Sequence, residues 1–294
     1  MNNIFKGEGV ALATPFTESG SVDYDALSGL ISSQIAGGVD FVCVLGTTAE
    51  TPCLSAAEKQ TVKDFVVQEV AGRVPLLLGC GTNCTETVVD FLRHGDLSDI
   101  DGVLVVCPYY NKPTQAGLFA HFKTIADATA LPVVLYNVPG RTGVNLEAET
   151  VLKLAMECEN VVAVKEASGR LDQAEAILDR APKGFELLSG DDGLTLELIR
   201  RGATGVISVV ANAYPAEFGT MVHAALDGDF DKAEAANEVL APLYPLLSVD
   251  GNPAGLKSLL DVQGKAGNYL RLPLVPASEA TYAKIKAFAD AMNA

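Results

Sequence analysis

The chain has only three histidines, no cluster of Lys and Arg, and no apolar run approaching the roughly 18 residues of a membrane span. Each shortage removes a class of function. His94, His121 and His223 fall in stretches of helical period, which removes most histidine-centred metal sites and Ser-His-Asp triads. A net charge of −16 without a basic cluster disfavours nucleic acid and anionic membranes, while leaving room for a small anion in a locally basic pocket. The opening Met-Asn-Asn-Ile-Phe-Lys-Gly-Glu lacks a basic segment followed by an apolar one, so no signal peptide is expected and the protein is read as cytoplasmic. There is no G-x-S-x-G and no G-x-x-x-x-G-K-[ST]. The six cysteines (43, 53, 80, 84, 107 and 158) fall mostly in or beside apolar runs, which predicts buried, reduced thiols. Cys80 and Cys84 form a C-x3-C pair with no histidine nearby, two ligands short of a zinc site, and are read as structural; no metal is expected.

What is present is periodic. Short apolar runs at 10–13, 41–45, 75–78, 103–106, 133–135, 161–164, 185–188 and 205–210 alternate with amphipathic stretches such as 24–35 and 57–70. The runs do not alternate apolar with polar residues, as expected of parallel strands covered on both faces. Eight successive βα units predict a closed (β/α)8 TIM barrel. An open doubly wound sheet would want G-x-G-x-x-G after its first strand, where Ala13-Thr14-Pro15-Phe16 stands instead. Beyond the eighth run the segments 215–226, 230–240, 253–260 and 278–292 read as helices. The first completes the barrel, giving a catalytic domain over 1–226 and a C-terminal helical appendage over 227–294.

In such a barrel the active site lies where strands end and βα loops begin. Those ends carry Gly46-Thr47-Thr48-Ala49-Glu50, Pro108-Tyr109-Tyr110-Asn111, Tyr136-Asn137-Val138-Pro139-Gly140-Arg141, Lys165 and Ser189-Gly190-Asp191-Asp192. Lys165 ends the run Val161-Val162-Ala163-Val164, where an ammonium loses hydration and burial favours the neutral, nucleophilic amine. Plainer readings stand beside each assignment. Lys165 snorkels or pairs with Glu166; Thr47-Thr48 is an N-cap; Tyr109 and Tyr110 are packing residues; Arg141 is a surface charge; Ser189 to Asp192 is a turn and cap. Taken together, the amine, hydroxyls, tyrosines and arginine suit a carbonyl electrophile, a carboxylate to anchor and a proton to move.

These motifs resemble the 4-hydroxy-tetrahydrodipicolinate synthase (dihydrodipicolinate synthase) family of the pyruvate-dependent class I aldolase superfamily, nearly end to end. The resemblance implies that Lys165 forms a Schiff base with pyruvate and that the derived enamine attacks aspartate β-semialdehyde. The imine is the electron sink, so no cofactor is implied. It further implies Tyr136 as proton shuttle, Thr47 as the relay to a Tyr110 donated across a dimer interface, and Thr48 as a pyruvate-carboxylate ligand. Arg141 would bind the carboxylate of the semialdehyde, while the backbones of Gly190 and Ile207 line the pocket. The expected assembly is a homo-oligomer, a tetramer built as a dimer of dimers. Two positions depart from the family. Ala49 replaces a usual glycine, and is strained if its φ is positive. Lys59 lies where lysine-inhibited members often carry histidines; with Asn83 and Tyr109 it marks an effector pocket that would repel lysine, so weak or absent feedback is expected. The rivals are a pyruvate-dependent aldolase acting on a keto-sugar acid, against which Arg141 argues, and a non-catalytic keto-acid binder, against which the intact lysine–tyrosine–threonine set argues.

Overall fold

The structure is a computed structural model that describes residues 4–292. Eight parallel strands, β1 (Gly7–Ala11), β2 (Phe41–Val44), β3 (Leu76–Gly79), β4 (Gly102–Val106), β5 (Val133–Asn137), β6 (Val161–Glu166), β7 (Glu186–Ser189) and β8 (Gly205–Ser208), close in sequential order, with β8 paired to β1. Successive side chains alternate between two buried environments. Cys43, Leu77, Leu104, Val134 and Ile207 fill the barrel. Val10, Val42, Val103, Leu135 and Val206 face the surrounding helices. Both faces are apolar, which is why the strands read as unbroken runs.

The helices follow from local signals. Asp23 caps Tyr24–Gly37, which stops at a left-handed Gly38. Ser55 and Glu58 form a capping box at the start of Ala56–Val70. All three histidines lie in helices, as expected. His121 bonds Thr85 Oγ1 through Nδ1 at 2.8 Å, and burial pushes its pKa down to about 4. Pro215–Leu226 and Phe230–Leu240 match the expected helices, while Ala254–Val262 and Glu279–Met292 each begin one residue late.

Every strand differs from its expected run by at least one residue at an end, and four of these shifts have a visible cause. β5 and β6 run on to Asn137 and Glu166, because these two polar side chains satisfy each other on the outer face. β8 stops at Ser208 rather than 210, because the Asp192 carboxylate accepts the amides of Val209 (3.1 Å) and Val210 (2.7 Å) and draws them out of the ladder. β1 begins at Gly7, where an added Cβ on the facing Gly205 would meet the Gly7 carbonyl oxygen at 2.3 Å; glycine is what lets the barrel close here. The thiols also depart from expectation: Cys43, Cys107 and Cys158 are buried, but Cys53 and Cys80 only partly, and Cys84 is exposed.

The C-terminal segment is tied to the mouth of the barrel. Arg271 grips Glu58 through both terminal nitrogens (2.9 and 2.6 Å) and donates to the carbonyls of Gly20 and Cys53. Its backbone amide reaches Glu50 Oε2 at 3.0 Å.

Candidate active site

The register of β5 against β6 sets Tyr136 opposite Lys165 and Asn137 opposite Glu166. Alternation turns the first pair inward and the second outward. Lys165 is 5% exposed, with Nζ over the Tyr136 ring, 4.5 Å from its centroid. On the outer face, Glu166 accepts from Asn137 Nδ2 (3.0 and 3.2 Å), Gln173 Nε2 (2.9 Å) and the Ser168 amide (2.7 Å). Glu166 is therefore committed elsewhere and Lys165 is not at the surface; both plainer readings of the lysine fail. The buried amide–carboxylate network also pins the register that brings amine and ring together.

The end of β2 folds as a tight turn over Thr47–Ala49 with no side-chain cap, so the two threonines do not cap a helix. Thr48 is buried, and its Oγ1 accepts from Asn252 Nδ2 at 3.0 Å. Ala49 is unstrained: the left-handed conformation falls on Glu50 (φ 53°), one residue later. Glu50 holds that conformation through an ion pair with Lys257 at 2.5 Å, both side chains being essentially inaccessible. Lys257 also donates to the Tyr269 carbonyl at 2.8 Å and lies 4.0 Å from the Phe16 ring centroid; burial pulls its pKa down to about 8 against the opposing pull of Glu50.

The other expected residues are placed as follows. Arg141, in the short helix Pro139–Thr142, donates through Nη2 to the Asn252 carbonyl at 3.2 Å. Gly190 abuts the lysine: a Cβ there would stand 3.1 Å from Lys165 Cε and 2.6 Å from Ala167 Cβ. Ile207 is buried inside the barrel on β8. Tyr110 is 88% exposed with φ 73°, so it does not pack within its own chain; Tyr109 is 38% exposed. Ser189 to Asp192 is the turn expected, Asp191 Oδ1 accepting the Gly193 amide at 3.0 Å. The Asp192 carboxyl, pushed up to about 6 by burial, serves the β8 turn.

A cavity of about 710 Å³ opens beside Tyr136, Thr47 and Arg141 and runs on to Tyr109 and Lys59. Its volume suits a small metabolite. Asn83 does not line it; the Asn83 carbonyl accepts from Asn111 Nδ2 at 3.0 Å. Thr47, Tyr136 and Arg141 thus share a cavity with Tyr109 and Lys59, whereas Lys165, Thr48, Tyr110, Gly190 and Ile207 do not line it. Residues that local sequence did not mark are Asn252, Lys257 and Arg271, and Glu50 was marked without a role. One signal was available: Lys257 lies next to Leu256 and one turn from Leu260 in a helix with three leucines, the mark of a buried, paired charge.

A family model described as the Dihydrodipicolinate synthetase family matches residues 4–292. A 4-hydroxy-tetrahydrodipicolinate synthase from Phocaeicola vulgatus is 53% identical over 288 residues, covering 98% of this chain and 97% of that one. Another from Parabacteroides distasonis is 54% identical over 281 residues, covering 96% and 95%. The crystal structure of dihydrodipicolinate synthase from Aquifex aeolicus superposes with a TM-score of 0.95 at 42% identity, covering 98% of both chains.

Proposed function

The chain belongs to the dihydrodipicolinate synthetase family, and from that premise we propose which of its residues carry the reaction. The enzyme is a lyase that condenses pyruvate with aspartate β-semialdehyde to 4-hydroxy-tetrahydrodipicolinate, in the pathway to diaminopimelate and lysine. Lys165 attacks the keto carbon of pyruvate, whose oxygen departs as water, leaving an imine. The cationic imine nitrogen draws electrons from the neighbouring methyl, which loses a proton to give the enamine. The enamine carbon then forms the new C–C bond with the aldehyde of the second substrate. The amino group of that substrate closes the ring at the imine carbon and releases Lys165.

Tyr136 moves protons at the imine, and Thr47 relays them towards a Tyr110 contributed by a second copy. Thr48 holds the pyruvate carboxylate, and the forked donors of Arg141 hold the carboxylate of the semialdehyde. The backbones of Gly190 and Ile207 line the space in which the imine forms. The observation that carries the reading is the buried Lys165 amine set over the Tyr136 ring beside the gap at Gly190. We place the enzyme in the cytoplasm, where its six unpaired cysteines stay reduced, and assemble it as a homotetramer. Its barrel domain is residues 1–226 and its helical domain 227–294.

The test is reduction with borohydride in the presence of pyruvate, with mapping of the adduct. Lys165→Ala abolishes trapping, whereas Arg141→Ala keeps trapping and loses turnover with the semialdehyde. An adduct on another lysine, or near-normal turnover by Arg141→Ala, would overturn the corresponding assignment.

A further inference from the structure

Thr48 and Arg141 sit on different loops, after β2 and β5, yet both end on Asn252. The Asn252 side chain donates from Nδ2 to Thr48 Oγ1 at 3.0 Å, and its main-chain oxygen accepts from Arg141 Nη2 at 3.2 Å. The turn carrying Asn252 is held from both sides. Asp250 accepts the amide and hydroxyl of Ser278, each at 2.8 Å. On the other side, the Lys257 amide donates to the Pro253 carbonyl at 2.8 Å as the helix Ala254–Val262 begins.

The direction of the first bond matters. A threonine hydroxyl has one hydrogen and two lone pairs. With an amide N–H aimed at the oxygen, a lone pair is engaged and the hydroxyl hydrogen is left to another acceptor. Thr48 is 1% exposed and its hydroxyl donates to no acceptor among the described residues, which leaves that hydrogen for a bound anion. The carbonyl bond likewise engages one of the five guanidinium donors of Arg141, leaving the others for a carboxylate.

We propose that Asn252 is a positioning residue for both carboxylates, its side chain setting Thr48 as a donor and its main-chain oxygen fixing the fork of Arg141. The assignment rests on the roles given above to Thr48 and Arg141. It places in the C-terminal segment a residue that the reaction needs. The two arms are separable, because substitution deletes the side-chain arm and leaves the main-chain arm in place. Asn252 Oδ1, buried without a partner among the described residues, adds that trimming the amide costs the fold little.

The measurement is the half-saturating concentration of each substrate in Asn252→Ala and Asn252→Asp, with the half-saturating pyruvate for borohydride trapping read in parallel. Asn252→Ala raises both pyruvate values about 10-fold, the loss of one hydrogen bond, with the semialdehyde KM unmoved. Asn252→Asp, though the closer isostere, is worse than alanine, because a carboxylate takes the Thr48 hydrogen and repels the pyruvate anion. In a Thr48→Val background, Asn252→Ala has no further effect. A structural role would rank aspartate above alanine and shift both substrates together; that result, or pyruvate values within about 2-fold of wild type, overturns the inference. Failure of the wild-type enzyme to trap pyruvate at Lys165 would instead sink the underlying assignment of the site.

Discussion

Glu8 makes the sharpest test of the energetics. It lies on β1 facing outward, fully buried, and neither carboxyl oxygen has a hydrogen-bond partner among the described residues. Room for it comes from Gly219 in the helix Pro215–Leu226, where a Cβ would stand 2.5 Å from Glu8 Oε2. Burial first, then the charges of Asp40, Asp192 and Glu217, push its pKa up to about 9. Asp40 is itself held close, accepting the Glu8 amide at 2.6 Å and pairing with His223 at 2.7 Å. The folded protein therefore keeps a proton that the unfolded chain releases near pH 4.5. Between those two values the unfolded state binds fewer protons, so this contribution is complete below about pH 4.5 and lost as pH rises through about 9. At pH 7.5 the interval travelled is about 3 units, which at 1.36 kcal/mol each is about 4 kcal/mol withdrawn from stability.

Glu8→Gln removes that titration while keeping the shape. The protonated acid and the amide both leave a donor and an acceptor unmatched, so the desolvation penalties of the two nearly cancel and the pH-dependent difference remains. Urea denaturation of wild type and variant at pH 5, 6.5, 7.5 and 8.5 reads it directly. The variant gains little at pH 5 and up to about 4 kcal/mol at pH 7.5, with turnover unchanged because Glu8 faces away from the barrel interior. A stability gap that stays constant across this range, or one that closes as pH rises, refutes the reasoning.

Other perturbations separate fold from chemistry. Glu50→Gln strands the buried Lys257 charge and destabilises by about 3–5 kcal/mol in thermal or urea melts, while Glu50→Gln with Lys257→Met recovers most of the loss. Gly190→Ala drives a methyl against Lys165 Cε and Ala167 Cβ; stability falls by about 1–3 kcal/mol, and stopped-flow imine formation slows more than a general loosening would explain. Lys59 lines the cavity with Tyr109, so millimolar lysine leaves the initial rate unchanged; strong inhibition would show that the cavity accepts a second cation. Sedimentation gives an assembly of four chains, and a monomer fully active at assay concentration would remove Tyr110 from the proton relay.

The barrel was legible because its strands are buried on both faces and so read as unbroken apolar runs. Lys165 and Tyr136 were legible for the same reason, as polar residues closing such runs. The strand ends were less so. Nothing in the local pattern says that Asn137 and Glu166 extend the sheet, since the reason is a bond between residues 29 positions apart. Glu8 was hidden differently: a charge two residues before Val10 breaks the apolar run, and only the glycine at 219 makes its burial feasible.

The same limit bears on the division at residues 226 and 227, which follows the βα repeat and therefore marks topology. The turn after β2 ends in a glutamate with positive φ and an inaccessible carboxylate, and among the described residues the groups neutralising or bonding that carboxylate come from the far segment: Lys257 by its amine, Arg271 by its amide. Asn252 reaches the hydroxyl of Thr48 from the same segment. Without those groups Glu50 would be a buried, unpaired charge, a situation costing several kcal/mol, and the turn would relax until water reached it. The threonines could not then hold their places between barrel and cavity. The helices beyond the barrel are thus a condition of the site's geometry, although no sequence period announces it.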